Sequence, residues 1–484
     1  MGTLEEQCMI DLIAVDDLLA GAAAPVGTTA NLSWVVLGAV LTLLAAAGVW
    51  LIHESGQRSR VGGTALLCLS LAVLAFFTVG FALAMGGADG IYAGLGPLPG
   101  LGSEWMPRGE GWGLLGRQGF FLAGASYEAG VYALFLFQSL LVVMAVVIAV
   151  IPWLNRTPRL VPVLYTLLFA GLLYPAFANW VWGGGWLARL GQTRELGHGL
   201  VDFAGSGVVQ AAGGLALLGA LLALRRSPGE DVDMTAADVR ALAGVALAAV
   251  GWMGCVAGST YVMGNLPLAI AAANVLIAVI SAGTVGLLYT WFVAGEPYLT
   301  VGAHACLAGL VAIAAGAPFF PAWAASVVGA VAGLLVPFGG YLLARLTGNM
   351  VTGSLVAVDG LGGIWGLLAV GLLANGRYGA GWNGIGEQSY LGVASLGITG
   401  IFPGLNLPAD SGQLTAQIVG VGALFIFPVV TFLVVGGLSR LVAWWQGVRG
   451  LTMQHGRMAA EPTTEAESSD PPTSNDAGNR SALG

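Results

Sequence analysis

The chain has 484 residues, of which 9% are charged and 57% apolar, with a mean hydropathy of +0.84; an ordinary soluble protein carries about 25% charge. At roughly 150 residues per domain, a soluble chain of this length would form about three domains, but so few charges would leave apolar patches facing water, a surface that lipid tolerates and water does not. The formal charge of −8 and isoelectric point near 5.0 argue against a nucleic-acid partner, and the chain reads as an integral membrane protein.

Residues 1–30 are acidic (Glu5, Glu6, Asp11, Asp16, Asp17) and lack a basic n-region, so they read as an extracytoplasmic segment and not as a cleaved signal peptide. A membrane domain is expected over 31–450. A helix needs about 20 apolar residues to cross a hydrocarbon core of about 30 Å, and about eleven runs of that kind follow one another. They lie near 32–52, 62–86, 129–153, 160–181, 204–224, 237–259, 266–293, 299–317, 322–345, 354–375 and 414–443. The runs are continuous instead of alternating at period two, which excludes a β-barrel. The fold class is all-α and polytopic. Residues 451–484, with PTTEAESSDPPTSNDAG, hold almost nothing apolar to bury and are expected to be a disordered cytoplasmic tail.

All 17 basic residues are arginine. With the N-terminus outside, the inner loops hold Arg58, Arg60, Arg156, Arg159, Arg225, Arg226 and Arg345, and Arg440 and Arg449 close the last run; the outer loops hold Arg108, Arg117, Arg189, Arg194 and Arg377. That bias favours an N-out, C-in arrangement in the cell inner (plasma) membrane. The absence of lysine removes Schiff-base and P-loop chemistry. Glycine numbers 77, which suits helices packed through small residues in lipid. Cys8, Cys68, Cys255 and Cys306 and the four histidines are scattered, so neither a disulfide framework nor a metal site is read, no cofactor is implied, and no enzyme signature is present.

Polar groups at membrane depth are expensive and mark function. Asp202 and Gln210 in DFAGSGVVQAAGG, Ser259, Asn274, His304 and Asp359 in VAVDGLGGIWG are the candidates. Asp202 sits where a carboxylate caps a helix start, and Gln210 and His304 each suit a bonded place in the core. Trp182, in NWVWGGGW, fits an interfacial belt or a turn at a pore mouth. Asp359 lies among apolar residues about five positions into its run, where a carboxylate must pair, protonate or line a wet cavity.

In order and spacing, NWVWGGGWL, DFAGSGVVQAAGG, GWMGCVAGS, GEPYLTVGAHACLAGLVAIAAGAPFFPAWAASVVGAVAG and VDGLGGIWGLLAVGLLANG resemble the signatures of the ammonium transporter family, which includes the Rh proteins, over about Trp34 to Gly450. The resemblance implies eleven spans in inverted pseudo-twofold halves and a homotrimer with one pore per subunit. It also implies an outer vestibule in which Phe137, Trp182 and Ser259 recruit ammonium above a structural Asp202. The family's two stacked phenylalanines align with Leu141 and Cys255, and its twin pore histidines with Gln210 and Asp359. An acid in place of one histidine is known in the family; loss of both departs from its proton-relay pattern. The expected function is transport of ammonium, ammonia or methylammonium, with Gln210 and Asp359 binding the cation. The alternatives are an ammonium sensor or transport-deficient paralogue, and a channel for a neutral molecule such as carbon dioxide. Gly450-Leu451 and His455-Gly456 remain from a segment that can receive a PII-type regulator, but the acidic stretch between them is deleted, which speaks against that partner.

Overall fold

A computed structural model describes residues 26–53, 62–109, 111–224, 234–264, 266–348 and 350–460. Most of the acidic 1–30 segment, the arginines at 58, 60, 225 and 226, and the tail beyond 460 lie outside the described residues. Two units divide the chain, Met1–Ser439 and Arg440–Gly484. Within the second, the described residues belong to the C-terminal part of helix Ile426–Ala460, which continues past the boundary expected at 450.

The first unit is built from helices. Among the described residues, ten are long and apolar enough to cross a membrane. The expected run at 299–317 forms the shorter helix Leu299–Ile313. It stops because Pro318 lacks an N–H and forces Ala317 out of the α region, and Asn274 Nδ2 holds the non-helical segment by donating to the carbonyls of Ala317 (2.8 Å) and Phe320 (2.7 Å). The expected run at 414–443 is likewise interrupted at Phe425, between Ser411–Leu424 and Ile426–Ala460, since Pro428 has no N–H to offer Leu424.

Among the described residues, four helices are widened by a single π turn, at Phe76–Gly80, Phe169–Leu173, Ser206–Ala211 and Ala357–Leu361. They occur in touching pairs: the first meets the second, and the third meets the fourth. Such turns insert one residue into an α-helix and collect at functional sites.

The loops at one end of the bundle knit together, and this end is called the vestibule face. Asn31 Nδ2 donates to Gly94 O (2.9 Å) while its Oδ1 accepts from Met263 N (2.8 Å), and Trp186 N donates to Gly113 O at 3.0 Å. Two short ribbons, Glu104–Trp105 with Leu115–Gly116 and Ser389–Tyr390 with Val393–Ala394, stiffen these loops.

Candidate functional site

Helix Ala129–Val150 supplies one wall of the site. Phe137, Leu141 and Met144 fall at i, i+4 and i+7, so they share one helical face; all three are buried. Phe137 lies against Gly258 so closely that a Cβ there would stand 2.9 Å from its Cζ. Glycine at that point lets the ring reach helix Met234–Gly258, whose end carries Ser259. The Ser259 hydroxyl donates back to Cys255 O at 2.9 Å, which turns its lone pairs toward the cavity.

The second wall is the end of helix Tyr174–Trp182. There the chain stops abruptly: Gly183 N donates to the carbonyls of Ala178 and Asn179, Gly184 takes φ +85°, and Gly185 N returns to Asn179 O at 2.9 Å. Only glycine adopts that left-handed bend without strain, and the backward bonds satisfy the final carbonyls. Trp182 is thereby fixed, with its indole N–H donating to Asp202 O at 2.7 Å and its own carbonyl accepting from Tyr92 Oη at 2.9 Å.

Asp202 is buried and accepts backbone N–H groups at the start of a helix: Gly205 at 3.1 Å, Gly207 at 2.9 Å and Val208 at 2.8 Å. Each such charge-assisted bond contributes roughly 1.5–3 kcal/mol. Together they fix the entry of the π-turned helix that carries Gln210.

These walls enclose a cavity of about 350 Å³ at the vestibule face, lined by Phe137, Leu141, Trp182 and Ser259. Its lining takes in Leu141 but not Cys255, whose thiol is fully buried 3.8 Å from Ala204 O. Of the two residues aligned with the family's phenylalanine pair, one therefore faces the cavity and the other packs behind it. Tyr92, Phe203, Tyr261 and Trp382 add further rings to the lining, and sequence reading singled out none of them.

Beyond Leu141 on the same helix, Met144 leads to Gln210, one of two polar residues that each sit on a π turn. Gln210 sits within Ser206–Ala211 and Asp359 within Ala357–Leu361, and both are fully buried. Gln210 Nε2 meets Met144 Sδ at 3.6 Å, while its Oε1 has no hydrogen-bond partner among the described residues. The two helices cross on glycine: a Cβ on Gly214 would lie 2.8 Å from Asp359 C, and one on Gly363 would lie 2.8 Å from Ala211 N. Small residues permit this backbone approach. It brings the π turns of Gln210 and Asp359 into contact.

The other candidates lie elsewhere. Asn274 clamps the 314–321 segment, and His304 borders a separate cavity of about 500 Å³ with Tyr289, Pro337 and Tyr341. His198, in a loop of the vestibule face, is fully buried edge-on to Tyr390, their ring centroids 5.3 Å apart, and burial lowers its pKa to about 4. Neither of these histidines lines the cavity. Glu104 pairs with Arg189 at 3.3 Å, and Asn179, its amide nitrogen turned toward the carboxylate, donates to Oε1 at 2.9 Å. Burial lifts Glu104 to about 7 against the opposing pull of Arg189 and Asn179. The pair ties the loop before helix Ala129–Val150 to the helix end bearing Trp182. Among the described residues no group of three or more potential ligands is placed to hold a metal ion.

The sequence profile of the Ammonium Transporter Family matches residues 33–459. The ammonium transporter Amt2 of Archaeoglobus fulgidus is 31% identical over 362 residues, covering 72% of this chain and 72% of that protein. An ammonium transporter of Bacillus subtilis is 30% identical over 279 residues, covering 56% and 60%. Among solved structures, a protein described as a sensor Amt protein superposes with a TM-score of 0.67 at 22% identity, covering 86% of this chain and 94% of that one. Mep2 of Candida albicans gives 0.65 at 22% identity, covering 84% and 83%.

Proposed function

The chain belongs to the ammonium transporter family, and on that premise we propose that it conducts ammonium or methylammonium through a pore in each subunit, with Gln210 and Asp359 standing where the family's histidine pair would be. The observation that carries this reading is the line of side chains from the aromatic cavity, past Leu141 and Met144, to the touching π turns of Gln210 and Asp359.

Phe137 and Trp182 offer ring faces to a cation, and Ser259 replaces part of its water shell. A bare cation crossing an apolar pore loses several kcal/mol of hydration even after relaxation. A histidine pore meets that loss by taking the proton; an acid meets it by supplying the opposite charge. A carboxylate within about 4–6 Å favours the charged form of its partner, so Asp359 holds ammonium as the ion, and the amide of Gln210 completes its shell. Conduction then requires that this hold be weak enough for release.

The arginine distribution supports an N-out, C-in orientation in the cell inner membrane, and family membership supports a homotrimer. Both are open to direct measurement, by labelling of introduced cysteines from each side and by native mass spectrometry.

An ammonium pulse on proteoliposomes is expected to give a sustained current that Asp359→Asn abolishes. Saturable ammonium binding without current would replace transport by sensing. A change in internal pH without current would assign the pore to a neutral molecule, ammonia or carbon dioxide.

A further inference from the structure

The vestibule cavity is far larger than the cation it is read to recruit. At about 350 Å³ it holds roughly ten times the volume that one water molecule occupies in the liquid, and ammonium is about the size of water. It falls in the 300–1,000 Å³ range of pockets that take small organic ligands. Among the described residues lining it, none carries a formal charge. What it offers instead is aromatic surface from six separate stretches of chain, at Tyr92, Phe137, Trp182, Phe203, Tyr261 and Trp382.

Tyr92 and Tyr261 stand with ring centroids 4.5 Å apart, and Tyr261 meets Phe137 edge to face at 5.8 Å. Phe203 and Trp382, also in the lining, stand with ring centroids 6.3 Å apart. Trp382 comes from the loop between helices Gly362–Leu373 and Ser411–Leu424, and it is held there by construction. Gly381, Asn383 and Gly384 all take positive φ (+85°, +53° and +75°), a turn that costs an asparagine some strain. The turn is pinned by Asn383 Nδ2 donating to His198 O and by Gln192 Nε2 donating to Asn383 O, each at 2.8 Å.

Resting on the reading of this vestibule as a cation-recruiting site, we propose that it is also an aromatic cage for quaternary, choline-like ammonium ions, with Trp382 as its specificity-determining wall. The chemistry separates the two cation classes. Ammonium carries four N–H donors and gives up a water for each. A quaternary ion carries none, needs no acceptor, spreads its charge over methyl groups that bury apolar surface, and is drawn to several ring faces at once. A neutral cage of aromatic rings suits the second class, and the polar atoms of Ser259 and the pore below suit the first.

The test uses the full-length protein in detergent and a pair of probes that differ in charge and not in shape, choline and 3,3-dimethylbutan-1-ol. Titration calorimetry is expected to give saturable choline binding at least about tenfold tighter than that of the alcohol, the difference a cation–π contribution makes. Trp382→Leu is expected to weaken choline binding about tenfold, and Trp382→Phe, which keeps a ring face, to restore most of it. Equal affinity for the two probes, or no saturable choline binding by wild-type protein, overturns the cage. Ammonium currents recorded on proteoliposomes made from the same purified protein keep the two readings apart: current without choline binding sinks the cage alone, and choline binding without current sinks transport alone.

Discussion

Under the proposed function, the vestibule and the helix crossing would meet the same problem, a positive charge leaving water, by opposite means. The vestibule is assembled from many segments, is lined by rings and hydroxyls, and leaves room to spare. The crossing is made of two helices pressed together on glycine, with one amide and one acid and no side-chain spacer. A weak, distributed attraction suits capture and release; a single opposite charge suits passage through the driest point.

The contrast is broken most severely at Asp359. Asp359→Asn should lower the ammonium current by at least about 100-fold, corresponding to roughly 2.7 kcal/mol, with protein yield retained, because the amide fills the same space without the charge. Proteoliposome currents decide it.

Next in size is the crossing itself. Gly214→Val places a branched side chain against the backbone of Asp359 and Gly360, and overpacking there should cost about 3 kcal/mol, seen as a lower melting temperature and loss of the folded peak in size-exclusion chromatography.

The vestibule should respond more gently. Phe137→Leu should raise the ammonium concentration at half-maximal current about tenfold while leaving a leucine to fill the space at Gly258, and Ser259→Ala should raise it about threefold by removing one neutral oxygen ligand. A total loss of current in either variant would mean that the vestibule acts as more than a capture site.

The smallest effect concerns the loop anchor. With Glu104 lifted to about 7 by burial, the folded protein favours its neutral form, so this group's stabilisation is full below the ordinary carboxylate range and is lost as pH rises through about 7. The melting temperature of the wild type should therefore fall relative to Glu104→Gln by a few degrees between pH 5 and 8. A difference that stays flat across that range would show the Arg189 pair to dominate.

Much of this was open to reading from the chain alone, for reasons that also mark where reading stops. Lipid demands long apolar runs, so the membrane helices stand out against a sequence with 9% charge. Phe137 came only through the family resemblance, and once it is placed, simple periodicity puts Met144 on the same helical face. Trp382, Tyr92 and Tyr261 are reached by neither route. Each lies in a loop, where no period places a side chain, and they meet only because the bundle folds segments far apart in the chain to one end. The ends of the helices at Pro318 and Pro428 follow from a missing N–H, a signal that apolar counting passes over. The π turns leave no trace in composition at all.

Those turns have a consequence for how such a pore can change. Each residue of an α-helix advances the helix by about 100°, so an inserted residue would ordinarily swing everything after it to a new face. A π turn absorbs the extra residue locally. At Ser206–Ala211 and Ala357–Leu361 the chain therefore has a seam, where a residue can enter or leave while the helix on either side keeps its orientation. Length and orientation thereby become separable variables: the chain can change its residue count at either turn while the helical faces before and after it keep their address.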